Sequence, residues 1–229
     1  LQNISISSTV TSIGEYAFTG TSITELFVPN TVETVGSGAF SQCHLLRRTY
    51  IDTETIPYSA FHNDGSLETV ITGSNVKTIE GAAFAYCGIR NLTLSNSIEY
   101  IGTFAFLYNE LTELTLPSNL TTLGGTVFTG AQLTNLTIPG SLSYMEACAF
   151  TGTSVTNLYF EEGLLTRISA YAFRYVTSLE TLHLASTIEV IGMYAFQGTG
   201  LTDLEIPSTV SLIEEGAFRD CESLLTMSM

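Results

Sequence analysis

Ten phenylalanines return at almost constant intervals along the 229 residues: Phe18, Phe40, Phe61, Phe84, Phe106, Phe128, Phe150, Phe173, Phe196 and Phe218. Every gap between them is 21, 22 or 23 residues. A period of this length marks a chain of stacked units, none of which can bury its apolar side alone. Such a body presents a long, regular surface suited to binding and leaves little room for one unique catalytic constellation.

The units from Leu111, Leu133 and Leu201 show what repeats. The first carries apolar residues at Leu111, Leu114, Leu116, Leu120, Leu123, Val127 and Phe128, and the other two match it position by position. The shared pattern is L-x-x-L-x-L-P-x-x-L-x-x-I-G-x-x-A-F. The L-x-L core alternates with period two, the mark of a half-buried strand. Proline follows it at Pro29, Pro117, Pro139 and Pro207; lacking an N–H, it is expected where the hydrogen-bond ladder between units ends. Apolar spacing then shifts to three and four, which predicts a short turn of 3₁₀- or α-helix. Gly14, Gly36, Gly102, Gly124 and Gly192 punctuate that stretch, as if a turn there required an unusual backbone angle. The Ala-Phe pair then returns to the core.

The strand motif resembles leucine-rich repeats, and the trailing I-G-x-x-A-F resembles the BspA-like subclass. The segments TVTSIGEYAFTGTS (Thr9–Ser22) and STIEVIGMYAFQGTG (Ser186–Gly200) lie near its consensus. Two departures stand out: the third repeat, Leu45–Phe61, has lost clear strand leucines, and the unit ending at Phe173 carries an insertion near Glu161–Leu165. The resemblance implies a leucine-rich-repeat solenoid, α/β in class but dominated by β-structure. It implies about ten coils of 22–23 residues, with one parallel sheet on the concave face and short helical or 3₁₀ turns on the convex side. It also implies a secreted or cell-surface protein of a host-associated bacterium or protozoan parasite. Some members are adhesins for host extracellular-matrix or plasma proteins.

No composition shift or linker divides the chain, so residues 1–229 are expected to form one solenoid domain. With parallel strands about 4.8 Å apart, ten coils give a body roughly 50 Å long. Because Leu224, Met227 and Met229 open another repeat, the chain reads as a piece of a longer protein. Open sheet edges make self-association through the solenoid ends an expected mode of contact.

Seven basic against 22 acidic residues leave a net charge of −15, with Lys77 the single lysine. That balance argues against nucleic acid, which needs clustered Lys and Arg, and against an anionic membrane surface. No apolar run reaches the roughly 18 residues of a membrane-spanning helix. Cys43, Cys87 and Cys221 each lie three residues after a repeat phenylalanine, in non-adjacent units. Their separation of about 10 Å or more is too great for a disulfide. All four cysteines, Cys148 included, therefore read as buried free thiols with no metal or redox role.

There is no phosphate-binding glycine loop, HExxH, EF-hand or nucleophile elbow. His44 and His62 flank the irregular third repeat without a carboxylate pattern to complete a metal site. The pairs Glu161-Glu162 and Glu214-Glu215 read as solvated loop charges. No cofactor is expected. Sequons occur at Asn3, Asn91, Asn119 and Asn135, and a glycan on Asn91 or Asn135 would obstruct the concave face.

That face is where a ligand is expected. The last outward strand position runs Ser5, Phe27, Tyr50, Ile71, Thr93, Thr115, Thr137, Tyr159, His183 and Glu205, with the register of Tyr50 left open by the degenerate third repeat. Phe27, Tyr50 and Ile71 would form an exposed apolar strip beside Arg47 and Arg48, and aromatics with arginine are typical of binding hot spots. Tyr159 and His183 form a smaller second cluster. The preceding outward column adds Glu25, Glu113 and Asp203. The functional reading is a non-enzymatic, adhesin-like module that binds proteins through its concave face. The alternatives are a structural, self-associating spacer of a surface protein and, less favoured, a glycan-acting enzyme.

Overall fold

The computed structural model describes residues 3–228. Leu1, Gln2 and Met229 lie outside the described residues, as does the side chain of Asn3, so the Asn3 sequon and the repeat position given to Met229 are not described further.

The chain winds into a parallel β-solenoid whose coils are each centred on one of the ten phenylalanines. Their rings form a single column, each stacked on the next at 5.0–5.5 Å between centroids and within 18° of parallel. The eight rings from Phe40 to Phe196 are wholly buried. Around them, the repeated leucines, isoleucines and valines close one continuous core along the body.

Two parallel ladders flank that column. The first uses the L-x-L strands. It runs through Asn3–Ser5, Glu25–Val28, Arg48–Ile51, Thr69–Thr72 and Asn91–Thr93. It breaks at residues 111–117 and resumes through Asn135–Ile138, Asn157–Phe160 and Thr181–His183. A last pair joins Asp203–Glu205 to Thr226–Ser228. The expected single sheet is thus laid down in three segments. Two of the four prolines directly end a strand as expected: Val28 precedes Pro29 and Ile138 precedes Pro139, and each proline carbonyl then accepts the amide three residues on, at 3.0 Å. No strand precedes Pro117, and the strand before Pro207 ends at Glu205.

The second ladder replaces the expected helical turn, and no helix occurs among the described residues. Two-residue strands such as Thr78–Ile79, Tyr100–Ile101 and Thr122–Leu123 pair in register from coil to coil. A turn leading into a two-residue strand also spaces apolar side chains by three and four, so the periodicity alone did not separate it from helix.

The turn around each phenylalanine makes a third set of inter-coil bonds. The Phe106 amide donates to the Val127 carbonyl of the next coil, the Phe104 amide to Gly125 and the Tyr108 amide to Thr129. The intervening amides of Ala105 and Leu107 close turns within their own coil, on Gly102 and Phe104. Aiming alternate amides along the axis requires left-handed backbone at the positions two before and two after the phenylalanine. Both are left-handed in all ten coils, from Tyr16 and Gly20 to Gly216 and Asp220, and 14 of these 20 residues are not glycine.

The recurring glycines play a different part from the one expected. Gly36, Gly102, Gly124 and Gly192 do not have positive φ. They lie against the preceding coil, where an added Cβ would come within 2.3–2.7 Å of backbone atoms. Close approach, not an unusual backbone angle, selects glycine there; Gly14 has neither constraint.

Candidate functional site

Alternation along each long strand sends one residue inward and the next outward. In Glu25–Val28 and Asn157–Phe160 the even positions are buried and the odd ones exposed. Parallel pairing without slippage then stacks like on like. Ser5, Phe27, Tyr50, Ile71 and Thr93 lie opposite one another in five successive strands. This settles the register of Tyr50: in the third repeat Thr49 takes the inward leucine place, between Leu26 and Val70. Thr49 is wholly buried, and its hydroxyl has no partner.

Phe27 lies flat on Tyr50, with ring centroids 4.9 Å apart and planes within 9°. Phe27 is 55% exposed, and Tyr50 and Ile71 are half-buried. Ile4, Glu25 and Arg48 join this pair around a groove of about 290 Å³. Burial, with the Asp52 carboxylate beside it, pushes the Tyr50 phenol up from its ordinary pKa, so it is a neutral hydroxyl at physiological pH.

The arginines give the patch its charge. Lys77, Arg90, Arg167 and Arg219 each pair with a carboxylate, and Arg174 is held by Gln197 and two tyrosine rings. Among the described residues, Arg47 and Arg48 are the two basic side chains with no carboxylate, hydrogen-bond or ring partner. Arg48 stands in the outward column between Glu25 and Thr69, and Arg47 is the exposed residue just before that strand. The chain's uncommitted positive charge is therefore gathered beside its exposed aromatic pair.

The second cluster lies further along the same face. Tyr159 and His183 pair in register and stack at 4.6 Å with planes 5° apart. Thr137 precedes Tyr159 in register. The two clusters are separated along the axis by the small outward residues Thr93, Thr115 and Thr137, so the seven residues singled out fall into two groups, not one continuous site.

The acidic residues form clasps between coils. Glu161 accepts the Gly140 amide, and Glu162 accepts both the amide and the hydroxyl of Ser186. These bonds to Ser186 hold the Glu162 carboxyl below its usual range. Glu214 takes the Arg167 guanidinium and the Met193 amide, and Glu215 takes the Tyr194 hydroxyl. Neither pair converges on a common point. Among the described residues one carboxyl, Asp64, is pushed up, to about 8, and it is sealed in the core away from the outward columns.

His44 is exposed, His62 packs edge-on against Tyr86, and no three His, Cys, Asp or Glu side chains among the described residues gather as metal ligands. All four cysteines are free. Cys43 and Cys87 are buried, whereas Cys148 and Cys221 are half-buried, less enclosed than expected. The Sγ–H groups of Cys43, Cys87 and Cys221 each reach the carbonyl of the preceding coil's phenylalanine at 3.0–3.1 Å. Asn91 and Asn135 stand exposed on the long strands, and Asn119 is exposed in a turn.

One feature was missed in the sequence. The left-handed positions carry tyrosines that lie over glycines of the next coil: the exposed Tyr16 over Gly38, Tyr108 over Gly130 and Tyr175 over Gly198, and the half-buried Tyr194 over Gly216. The signal was a tyrosine two residues from one repeat phenylalanine and a glycine at the same place in the next unit.

A sequence model of the family described as BspA type leucine rich repeat region matches residues 1–110 and 99–225, in six copies. The chain belongs to the BspA-type leucine-rich-repeat family. No curated protein matches it. Among solved structures, a leucine-rich repeat protein from Bacteroides ovatus is similar over 100% of this BspA-type chain at 27% identity, with a TM-score of 0.88; the chain spans 61% of that protein. A leucine-rich repeat protein from Eubacterium ventriosum shares 19% identity over 80% of this chain and 60% of its own, at a TM-score of 0.51. The pneumococcal vaccine antigen PcpA shares 18% identity over 99% of this chain and 70% of its own, at 0.54. These last two likenesses concern the BspA-type fold alone.

Proposed function

We propose that this BspA-type solenoid is a non-enzymatic binding module of a secreted or cell-surface protein, and that it engages a protein partner through its long-strand face. The observation that carries this reading is the Phe27–Tyr50 stack, extended in register by Ile71 and flanked by the unpaired Arg47 and Arg48. Exposed aromatics can bury large area at little entropic cost, and unpaired guanidiniums can take carboxylates bidentately. The chemistry fits a partner segment with an apolar side chain beside an acidic one. The acidity of the rest of the chain would repel acidic partners elsewhere and favour register at this patch. An extracellular setting is supported by the naming of a protein of the same fold as a vaccine antigen. Host matrix and plasma proteins are the partner class to try first.

The test is capture from a panel of extracellular host proteins by the parent chain and by Phe27→Ala/Tyr50→Ala. The reading predicts a captured protein that the double variant releases. Capture by both chains alike, or by neither, overturns it.

A further inference from the structure

The Tyr159–His183 cluster differs in chemistry from the Phe27–Tyr50 patch, and we infer that it is a subsite for a neutral saccharide ring. The inference rests on the reading of the long-strand face as a binding surface and deepens it at this second cluster. The groove over Asn135, Thr137, Asn157, Tyr159, Thr181 and His183 has a volume of about 480 Å³. No acidic, lysine or arginine side chain lines it, although the chain carries a net charge of −15.

Its aromatic surface is one-sided. His183 covers one face of Tyr159 at 4.6 Å. The opposite face looks along the axis towards the coil of Thr137, whose side chain is short, and the next outward residue beyond is Thr115. An outward slot therefore opens against the ring of Tyr159, which is 45% exposed, at a place where neighbouring strands lie about 4.8 Å apart.

Beside the slot runs a ladder of polar side chains. The Thr181 hydroxyl donates to Asn157 Oδ1, and Asn157 Nδ2 donates to Asn135 Oδ1 at 2.8 Å. Each bond fixes the orientation of the next group, so the Asn135 carboxamide is set with its two Nδ2–H donors unengaged among the described residues. These donors share the strand face with Thr137, two residues on. A flat apolar ring face beside preoriented neutral donors and hydroxyls matches a sugar, whose C–H face packs on an aromatic and whose hydroxyls need polar partners. A peptide carboxylate would find no lysine or arginine in this lining, and Glu161, the carboxylate a guanidinium would meet in the adjoining groove, already takes the Gly140 amide.

The experiment titrates the intact chain with di- and trisaccharides of glucose, galactose and N-acetylglucosamine, followed by ligand-observed saturation-transfer NMR. The inference predicts saturable binding of at least one. Tyr159→Ala is expected to weaken it about tenfold and Asn135→Ala to weaken it severalfold, while Tyr159→Phe, which keeps the ring face, retains it. Phe27→Ala is expected to leave it unchanged, which separates this subsite from the protein-binding patch. Absence of saturable binding by every saccharide overturns the inference, as does binding that survives Tyr159→Ala. Loss of a captured protein in Tyr159→Ala with no saccharide bound would also overturn it, and would assign the cluster to the protein partner.

Discussion

Asp64 Oδ1 accepts the Cys43 amide at 2.6 Å, while the buried Oδ2 of the same carboxyl has no hydrogen-bond partner. Asp64 lies three residues after its repeat phenylalanine. Asn109 holds the same place two coils on and satisfies it fully: its Nδ2 donates to the Phe84 and Phe106 carbonyls, and its Oδ1 accepts the Ile89 amide. The position is built for a donor facing carbonyls, and a carboxylate there is costly. Burial accordingly moves the Asp64 pKa from 3.8 to about 8.

Asp64→Asn is therefore expected to stabilise the fold, increasingly so with pH. Below about pH 4 the parent carboxyl is protonated in both folded and unfolded chains, and the difference between parent and variant is smallest. Between pH 4 and pH 8 the unfolded chain releases the proton and the folded chain keeps it, so parental stability is lost as pH rises. The gain at pH 8 is on the order of a few kcal/mol, read as the difference in Tm between the two chains across that range. A difference independent of pH would contradict the assignment.

Thr49→Val tests another of the orphaned buried groups. The threonine hydroxyl stands among Leu26 and Val70 without a partner, and valine fills the same volume. Removing a buried unsatisfied hydroxyl should raise stability by about 1–2 kcal/mol, a few degrees in Tm for a chain of this size. The outward residues Arg48 and Tyr50 keep their places, so capture of a partner should persist.

Two glycine substitutions separate close approach from backbone angle. Gly124→Ala would place a Cβ 2.3 Å from the Thr103 amide nitrogen and should cost about 1–3 kcal/mol. Gly14→Ala meets nothing within 4 Å and has ordinary φ, so it should be neutral or stabilise by up to about 1 kcal/mol. Thermal melts of the two variants supply the comparison.

The phenylalanine column should fail locally. Phe106→Ala leaves a void between Phe84 and Phe128 and should cost about 3–5 kcal/mol. In a body where each coil touches its neighbours, faster amide exchange should centre on residues 84–128 and fade beyond them.

Much of this architecture was legible because packing against an identical neighbour imposes strict periodicity on Phe, on the strand leucines and on the outward column. The rest was hidden for physical reasons. The left-handed pair around each phenylalanine is held by inter-coil hydrogen bonds, so Tyr, Ala, Cys, Thr and Phe occupy it without a glycine signature, as at Tyr16, Ala82 and Cys148. Helix was expected where Thr122–Leu123 forms a two-residue strand, since both space apolar residues alike. The candidate site was visible as Phe27 and Ile71, but Tyr50 was hard to place because Thr49 had erased the leucine that marks register. That Arg47 and Arg48 lack partners depends on where the carboxylates settle, and no spacing reports that.

The most direct test of the account is an alanine scan along the outward column, with substitutions at Phe27, Tyr50, Ile71, Thr93 and Thr115, plus Tyr86 on a different part of the surface. Each variant is measured for Kd against the captured protein partner. The account predicts losses of about tenfold or more at Phe27 and Tyr50, a smaller loss at Ile71, and none at Thr93, Thr115 or Tyr86. Equal losses along the whole column, or a loss centred on Tyr86, would contradict it.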